Sequence, residues 1–348
     1  MPDRPAISGR PSAAAAAGGR PGGDGGPQGG VRAVWAVARR VLTGRPVRWG
    51  FGATAVAIGG YAVAREWTDV RAALASIGAL MIAAALVSVL IAMFAAMQVW
   101  RVLLAALGSP LPIRVAARIM FVGQLGKYVP GSVWPVLAQM ELGNTHRVPR
   151  HHSASASVLA MLVCMFSGLL TALVTLPFFA RSTPYLWTLL AVPGLLACLH
   201  PKVLNSALGR LFRLTRRPPL EQPLTARAIT ISLAWSFGSW IFYGLQIWLL
   251  ATRLGAPRDQ AALLALGGFA FAWSVGFLAV FAPAGAGVRE VVLVALLGPV
   301  IGVGAGTAVA LVSRALTTIG DLLAAAVAAG YFRRTGARSW DVARGKPK

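Results

Sequence analysis

The sequence predicts an all-α polytopic integral membrane protein, with about eight transmembrane helices, two re-entrant or broken segments and an inverted repeat as the candidate symmetry. Three observations lead there. The 348 residues are 57% hydrophobic and only 12% charged, too little charge to cover a soluble protein of this size. Uncharged apolar runs reach transmembrane length several times over. Glycine and proline interrupt the apolar pattern at one place in each half, Gly126–Pro135 and Pro283–Gly287. Inside a bilayer an interrupted helix survives only where protein or a water-filled cavity surrounds it. Paired interruptions are the sequence pointer to a transporter's binding site.

Residues 1–44 begin with a Gly/Pro/Ala/Arg stretch almost free of large apolar side chains, which cannot bury enough surface to fold. It also lacks the apolar core of a signal peptide. The expectation is a disordered basic cytoplasmic tail, then a transmembrane domain over 45–335 and a second basic tail over 336–348. The first span, Trp49–Ala64, is entered from Arg39, Arg40, Arg45 and Arg48. Opposite charges cancel at Arg65, Glu66, Asp69 and Arg71, as suits an external loop. The uncharged Leu74–Trp100 crosses back, and Arg101, Arg114 and Arg118 mark the cytoplasmic side.

From Val115 to Met140 the pattern breaks at Gly123, Gly126, Lys127, Pro130, Gly131 and Pro135, and a re-entrant element is expected. A basic border, His146 to His152, precedes the span Ser153–Ala180; a turn at Arg181–Pro184 leads into Tyr185–Leu199. The loop 202–227 holds Arg210, Arg213, Arg216 and Arg217 against one acid, Glu221, and reads as cytoplasmic. Spans at Ile229–Ala251 and Gln260–Phe281 lead to the second break. Val291–Ile301 and Gly306–Phe332 follow, and the chain ends in arginine and lysine. Both termini are thus expected in the cytoplasm, which requires an even number of crossings. Arg253 and Arg258 fall in a short loop that this count places outside, against the trend.

The net charge of +23 raises nucleic-acid binding as a function class. The charges sit in tails and loops, where membrane orientation puts them, so no nucleic-acid partner is expected. Cys164 and Cys198 lie in apolar runs and read as small buried hydrophobes. His-Glu-x-x-His, paired aspartates for magnesium and a Walker A loop are all missing from the sequence. No catalytic residue, metal ligand or cofactor is therefore assigned.

Ionisable groups at membrane depth cost roughly 2.5–3.5 kcal/mol each on insertion scales and need a reason to be there. Thr307, Arg314 and Asp321 are spaced by seven and share a helical face. At ~1.5 Å rise per residue, Arg314 and Asp321 stand about 10 Å apart along the axis, too far for an easy direct bridge. Each should find another partner: a neighbouring helix in a structural pair, or a ligand.

Arg289 and Glu290 follow Gly285 and Gly287 at an apparent helix start, where exposed amides and the dipole attract anions. Glu290 either complements that dipole or contacts substrate. Arg289 is disfavoured there and calls for a nearby anion. Lys127 precedes the first break, where it either binds an anion or snorkels to the head-group layer. Glu141 closes that element. Ser236, Ser239, Trp240, Tyr243 and Gln246 form a polar stripe that either glues helices together or lines a cavity.

Gly126-Lys127-Tyr128-Val129-Pro130-Gly131-Ser132-Val133-Trp134 and Pro283-Ala284-Gly285-Ala286-Gly287-Val288-Arg289-Glu290, with Arg314, Thr317 and Thr318 in support, resemble the membrane region of the lysylphosphatidylglycerol synthase family, also described as flippase-like. The resemblance covers roughly residues 45–335. It implies the flippase-like half without the aminoacyltransferase domain, moving a polar-headed lipid between leaflets. Ala284 and Ala286 depart from the family's usual residues. The candidate substrate site read from the residues themselves is Lys127, Pro130, Gly131, Glu141, Gly285, Gly287, Arg289, Glu290, Arg314 and Asp321. Lys127, Arg289 and Arg314 would bind phosphate, while the acids would contact cationic or hydroxylated groups or relay protons. The implied partners are membrane lipids and a lipid-modifying enzyme or glycosyltransferase. The rival classes are a membrane-embedded transferase and an accessory subunit.

Overall fold

The computed structural model describes residues 72, 75–128, 133–175, 190–214, 224–279 and 285–343, with backbone alone at 207, 208, 211–214 and 331–343. The expected amino-terminal tail and first span lie outside the described residues, as do Pro130, Gly131 and positions 280–284 of the second break. Within the described residues every regular element is helical. The protein is an all-α membrane protein, as the apolar runs require.

Ten α-helices are described: α1 Ala79–Ala106, α2 Ile113–Gln124, α3 Trp134–Asn144, α4 Arg150–Thr175, α5 Val192–Cys198, α6 Pro201–Leu214, α7 Ala226–Arg253, α8 Arg258–Leu278, α9 Val288–Ile301 and α10 Val303–Ala343. A 3-10 turn, Leu125–Tyr128, continues α2. Helices α1, α4, α7, α8 and α10 as far as Gly330 are long and apolar enough to cross a membrane. They match five of the eight expected spans. The expected Tyr185–Leu199 span is described only from residue 190 onward, where it forms the short α5. Val291–Ile301 belongs to α9, whose 14 residues reach only about 21 Å, short of a ~30 Å hydrocarbon core. It doubles back at Gly302 onto the start of α10, and residues 298 and 306 nearly touch.

Local chemistry sets several starts. Pro112 precedes α2 and Pro135 sits in the first turn of α3, where its missing N–H costs nothing. Thr225 caps α7 by accepting the Ala228 N–H at 3.2 Å. Helices α1 and α7 form the largest packed pair. They run antiparallel, because Ser88 donates to the Phe242 carbonyl at 2.7 Å and Phe94 meets Trp235 edge-on. Apolar burial gives little drive between helices in lipid, so close approach and polar bridges hold the bundle. A side chain at Gly244 would lie 2.7 Å from the Leu266 α-carbon, so α7 and α8 touch backbone to backbone. Ser167 bonds Ser236 at 2.7 Å, and Gln246 donates to Ser313 at 2.6 Å. These contacts settle the ends of the polar stripe as helix glue.

The first break is a helical hairpin. Helices α2 and α3 have 12 and 11 residues, about 18 and 17 Å, each roughly half a membrane. They pack on each other so closely that a side chain at Gly126 would meet the Trp134–Pro135 backbone at 2.9 Å. Ser109, before the hairpin, lies 2.8 Å from His152, after it. The hairpin therefore enters and leaves at the same end of the bundle, as a re-entrant element must. That end carries Arg101, Arg114, Arg118, Arg147 and Arg150. Partial burial and the Arg118 charge hold His146 below the usual imidazole value, so His146 adds no charge to this border at neutral pH.

Candidate functional site

Where the two interrupted elements meet α10, the bundle encloses a cavity of about 210 Å³. Lys127, from the first break, and Gly285 and Arg289, from the second, all reach it, as does Asp321 of α10. Trp240 and Tyr243 of α7 and Trp273 and Phe277 of α8 supply its aromatic wall. Met93, Met120 and Met161 give it an adaptable apolar side.

Each break is tied to α10 by an ion pair. Lys127 Nζ lies 2.6 Å from Asp321 Oδ2, and the Tyr128 hydroxyl donates to the same oxygen at 2.6 Å. Asp321 is only 7% exposed, so these donors replace the water it lacks. Glu290 Oε1 stands 3.6 Å from Arg314 Nη1. Arg314 and Asp321 thus both find partners elsewhere, as their axial separation requires. Two ridges of one helix face, a heptad apart, hold the two breaks.

Arg289 is placed differently. Gly287, whose φ of 84° favours glycine, immediately precedes helix α9, and Gly285 turns at φ 69°. The arginine stem passes between Gly276 and Gly285. A side chain at Gly276 would overlap Arg289 Cγ, and one at Gly285 would come within 2.8 Å of its Nε. The guanidinium lies over the Trp273 ring, 5.5 Å from its centroid, a cation–π geometry. Among the described residues no acid comes within ion-pair distance of it. Its Nε is buried without a hydrogen-bond acceptor, and Glu290 Oε2 is buried without a donor.

The predicted set therefore divides. Lys127, Gly285, Arg289 and Asp321 line the cavity; Gly287, Glu290 and Arg314 brace it from behind. Glu141 does not join them: it is exposed on α3 and paired with Arg150 at 2.9 Å. Pro130 and Gly131 lie outside the described residues. Sequence reasoning missed Gly276, Trp273 and Phe277, although Trp273, Gly276 and Phe277 carry the i, i+3, i+4 signature of one helix face. It also missed Gln139, buried at 1% exposure and held by Ser157, which lies 2.5 Å from its Oε1 and itself accepts from Trp100 at 3.2 Å. Of the polar stripe, Ser239, Trp240 and Tyr243 line the cavity.

Among known protein families, the one described as the lysylphosphatidylglycerol synthase TM region matches residues 50–325. No curated protein matches the chain.

Proposed function

Because the chain belongs to the lysylphosphatidylglycerol synthase TM-region family, a membrane-embedded family with a lipid-related role, we propose that its cavity receives the polar head group of a membrane lipid and passes it between leaflets. The head group is anionic, phospholipid or polyprenyl-linked, and its chains stay in the bilayer. One observation carries this reading: a buried guanidinium with an unsatisfied donor faces a cavity at the start of α9, between two interrupted helices. A guanidinium and helix-start amides together suit a phosphate oxygen.

Arg289 is the primary anchor. Lys127 already has Asp321 as counter-ion, so it joins only when a second anion competes for it. The aromatic wall lowers the polarity beside the guanidinium, which strengthens its contact with an anion. The protein would sit in the bacterial cytoplasmic membrane with both termini inside, beside a lipid-modifying enzyme or glycosyltransferase. Purified protein in liposomes tests the reading. Leaflet exchange of a labelled anionic lipid without chemical change, lost in Arg289→Ala, supports it. A new lipid product by mass spectrometry points instead to a membrane-embedded transferase. Neither exchange nor product leaves an accessory role.

A further inference from the structure

Helix α6, Pro201–Leu214, plays no part in the cavity, and its surroundings point to a second binding surface. Its inner side is fixed. Leu204 is 2% exposed and belongs to the same buried apolar cluster as Leu199, Leu224, Ile229, Leu103 and Leu107. Asn205 clamps the chain before α7, donating to the Leu224 carbonyl at 3.0 Å and accepting its N–H at 2.8 Å. Residues 103, 107 and 224–229 belong to the basic end of the bundle, where the hairpin α2–α3 enters. The first turns of helix α6 are therefore anchored at that end.

Its outer side is cationic. Lys202, Ser206 and Arg210 are exposed at i, i+4 and i+8, one continuous face. Arg213 falls in the same register, and Arg216 and Arg217 follow in sequence; residues 199–220 contain no acid. Exposed apolar side chains border this face: Val203 on α6 itself, at 46%, and Leu196 on α5, at 51%. A buried edge against the bundle, an exposed apolar edge and a row of cations describe a helix lying in the membrane interface. An acidic protein partner would meet the cations but would not explain why apolar residues stay exposed beside them.

We propose that α6 binds anionic phospholipid head groups of the leaflet at the basic end, with Lys202 and Arg210 as the contacting side chains and Val203 and Leu196 in the acyl boundary. This surface is separate from the cavity and stands whether or not the cavity carries a lipid head group. Each cation near such a surface contributes about fivefold in binding, weakened by salt.

Amide hydrogen exchange of the full chain in nanodiscs reads α6 directly. Exchange over 201–214 should be at least about fivefold slower in phosphatidylglycerol discs than in phosphatidylcholine discs. The difference should disappear in high salt and in Lys202→Glu/Arg210→Glu. Both positions are exposed, so folding should survive the change; unchanged exchange over α7 checks this, and Lys202→Gln/Arg210→Gln provides a milder second variant. Equal protection in the two lipids, or protection indifferent to salt and charge reversal, overturns the proposal. So does protection given by soluble polyglutamate in phosphatidylcholine discs but not by anionic lipid, which would assign the face to an acidic protein.

Discussion

Arg289 shows how much one side chain depends on its neighbours' lack of one. Its stem occupies the space where Gly276 and Gly285 have no Cβ, and its charge rests on Trp273. Arg289→Ala should weaken binding of an anionic lipid by roughly ten- to a hundredfold, the worth of a charge-assisted hydrogen bond. Arg289→Lys should recover only part of this, because an ammonium cannot reproduce the planar stack on Trp273. Gly276→Ala should mimic Arg289→Ala in a lipid-binding titration, with some loss of thermal stability, since the atom it would overlap, Arg289 Cγ, sits close to the α9 backbone. Normal binding in Gly276→Ala would show that the arginine does not need its slot.

Charges in this bundle act in pairs that the structure re-assigns. Double-mutant cycles on thermal stability should give a coupling of about 1–3 kcal/mol for Lys127 with Asp321, and none above about 0.5 kcal/mol for Arg314 with Asp321. Strong Arg314–Asp321 coupling would mean that the two breaks are not held independently. Glu141→Gln removes only an exposed pair and should leave both stability and transport within measurement error.

At the scale of an element, the hairpin α2–α3 is a device for ending two helices at mid-membrane. Gly126 lets the first turn of α3 start directly against the end of the other arm, and an interruption at membrane depth is tolerated only inside protein or beside a water-filled cavity. Gly126→Ala should destabilise the protein by about 1–3 kcal/mol through overpacking against backbone that cannot move aside. Gly238→Ala, where a side chain would meet open space, should be neutral or gain up to about 1 kcal/mol of helix propensity. Thermal unfolding of the two variants in detergent checks this contrast. Similar losses at both glycines would count against the tight hairpin.

Across the whole molecule, the contact between Ser109 and His152 puts both mouths of the hairpin at one end of the bundle. Cysteines introduced at Gly108 and Thr145, in a background lacking Cys164 and Cys198, should therefore react with the same impermeant reagent from the same side of the membrane. Reporter fusions at Arg216 and at the C-terminus should share that side, and one at Asp69 should score on the other. Opposite labelling of 108 and 145 would turn the hairpin into a crossing and invert everything after it.

What the sequence alone determined follows from local rules. Apolar run length marked five spans that the described residues contain, because a chain in hydrocarbon must close its own hydrogen bonds. Glycine, proline and the charges beside them marked both breaks, because such residues are costly at depth and stand out against apolar neighbours. Spacing alone also disfavoured a direct bridge between Arg314 and Asp321. Only the tertiary structure decided who pairs with whom: Lys127 and Asp321 are 194 positions apart, and no local pattern links them. It also moved Glu141 to the surface and brought Trp273, Gly276 and Phe277 to the cavity. In an apolar helix, a wall residue and a lipid-facing residue look alike until the neighbouring helices are in place.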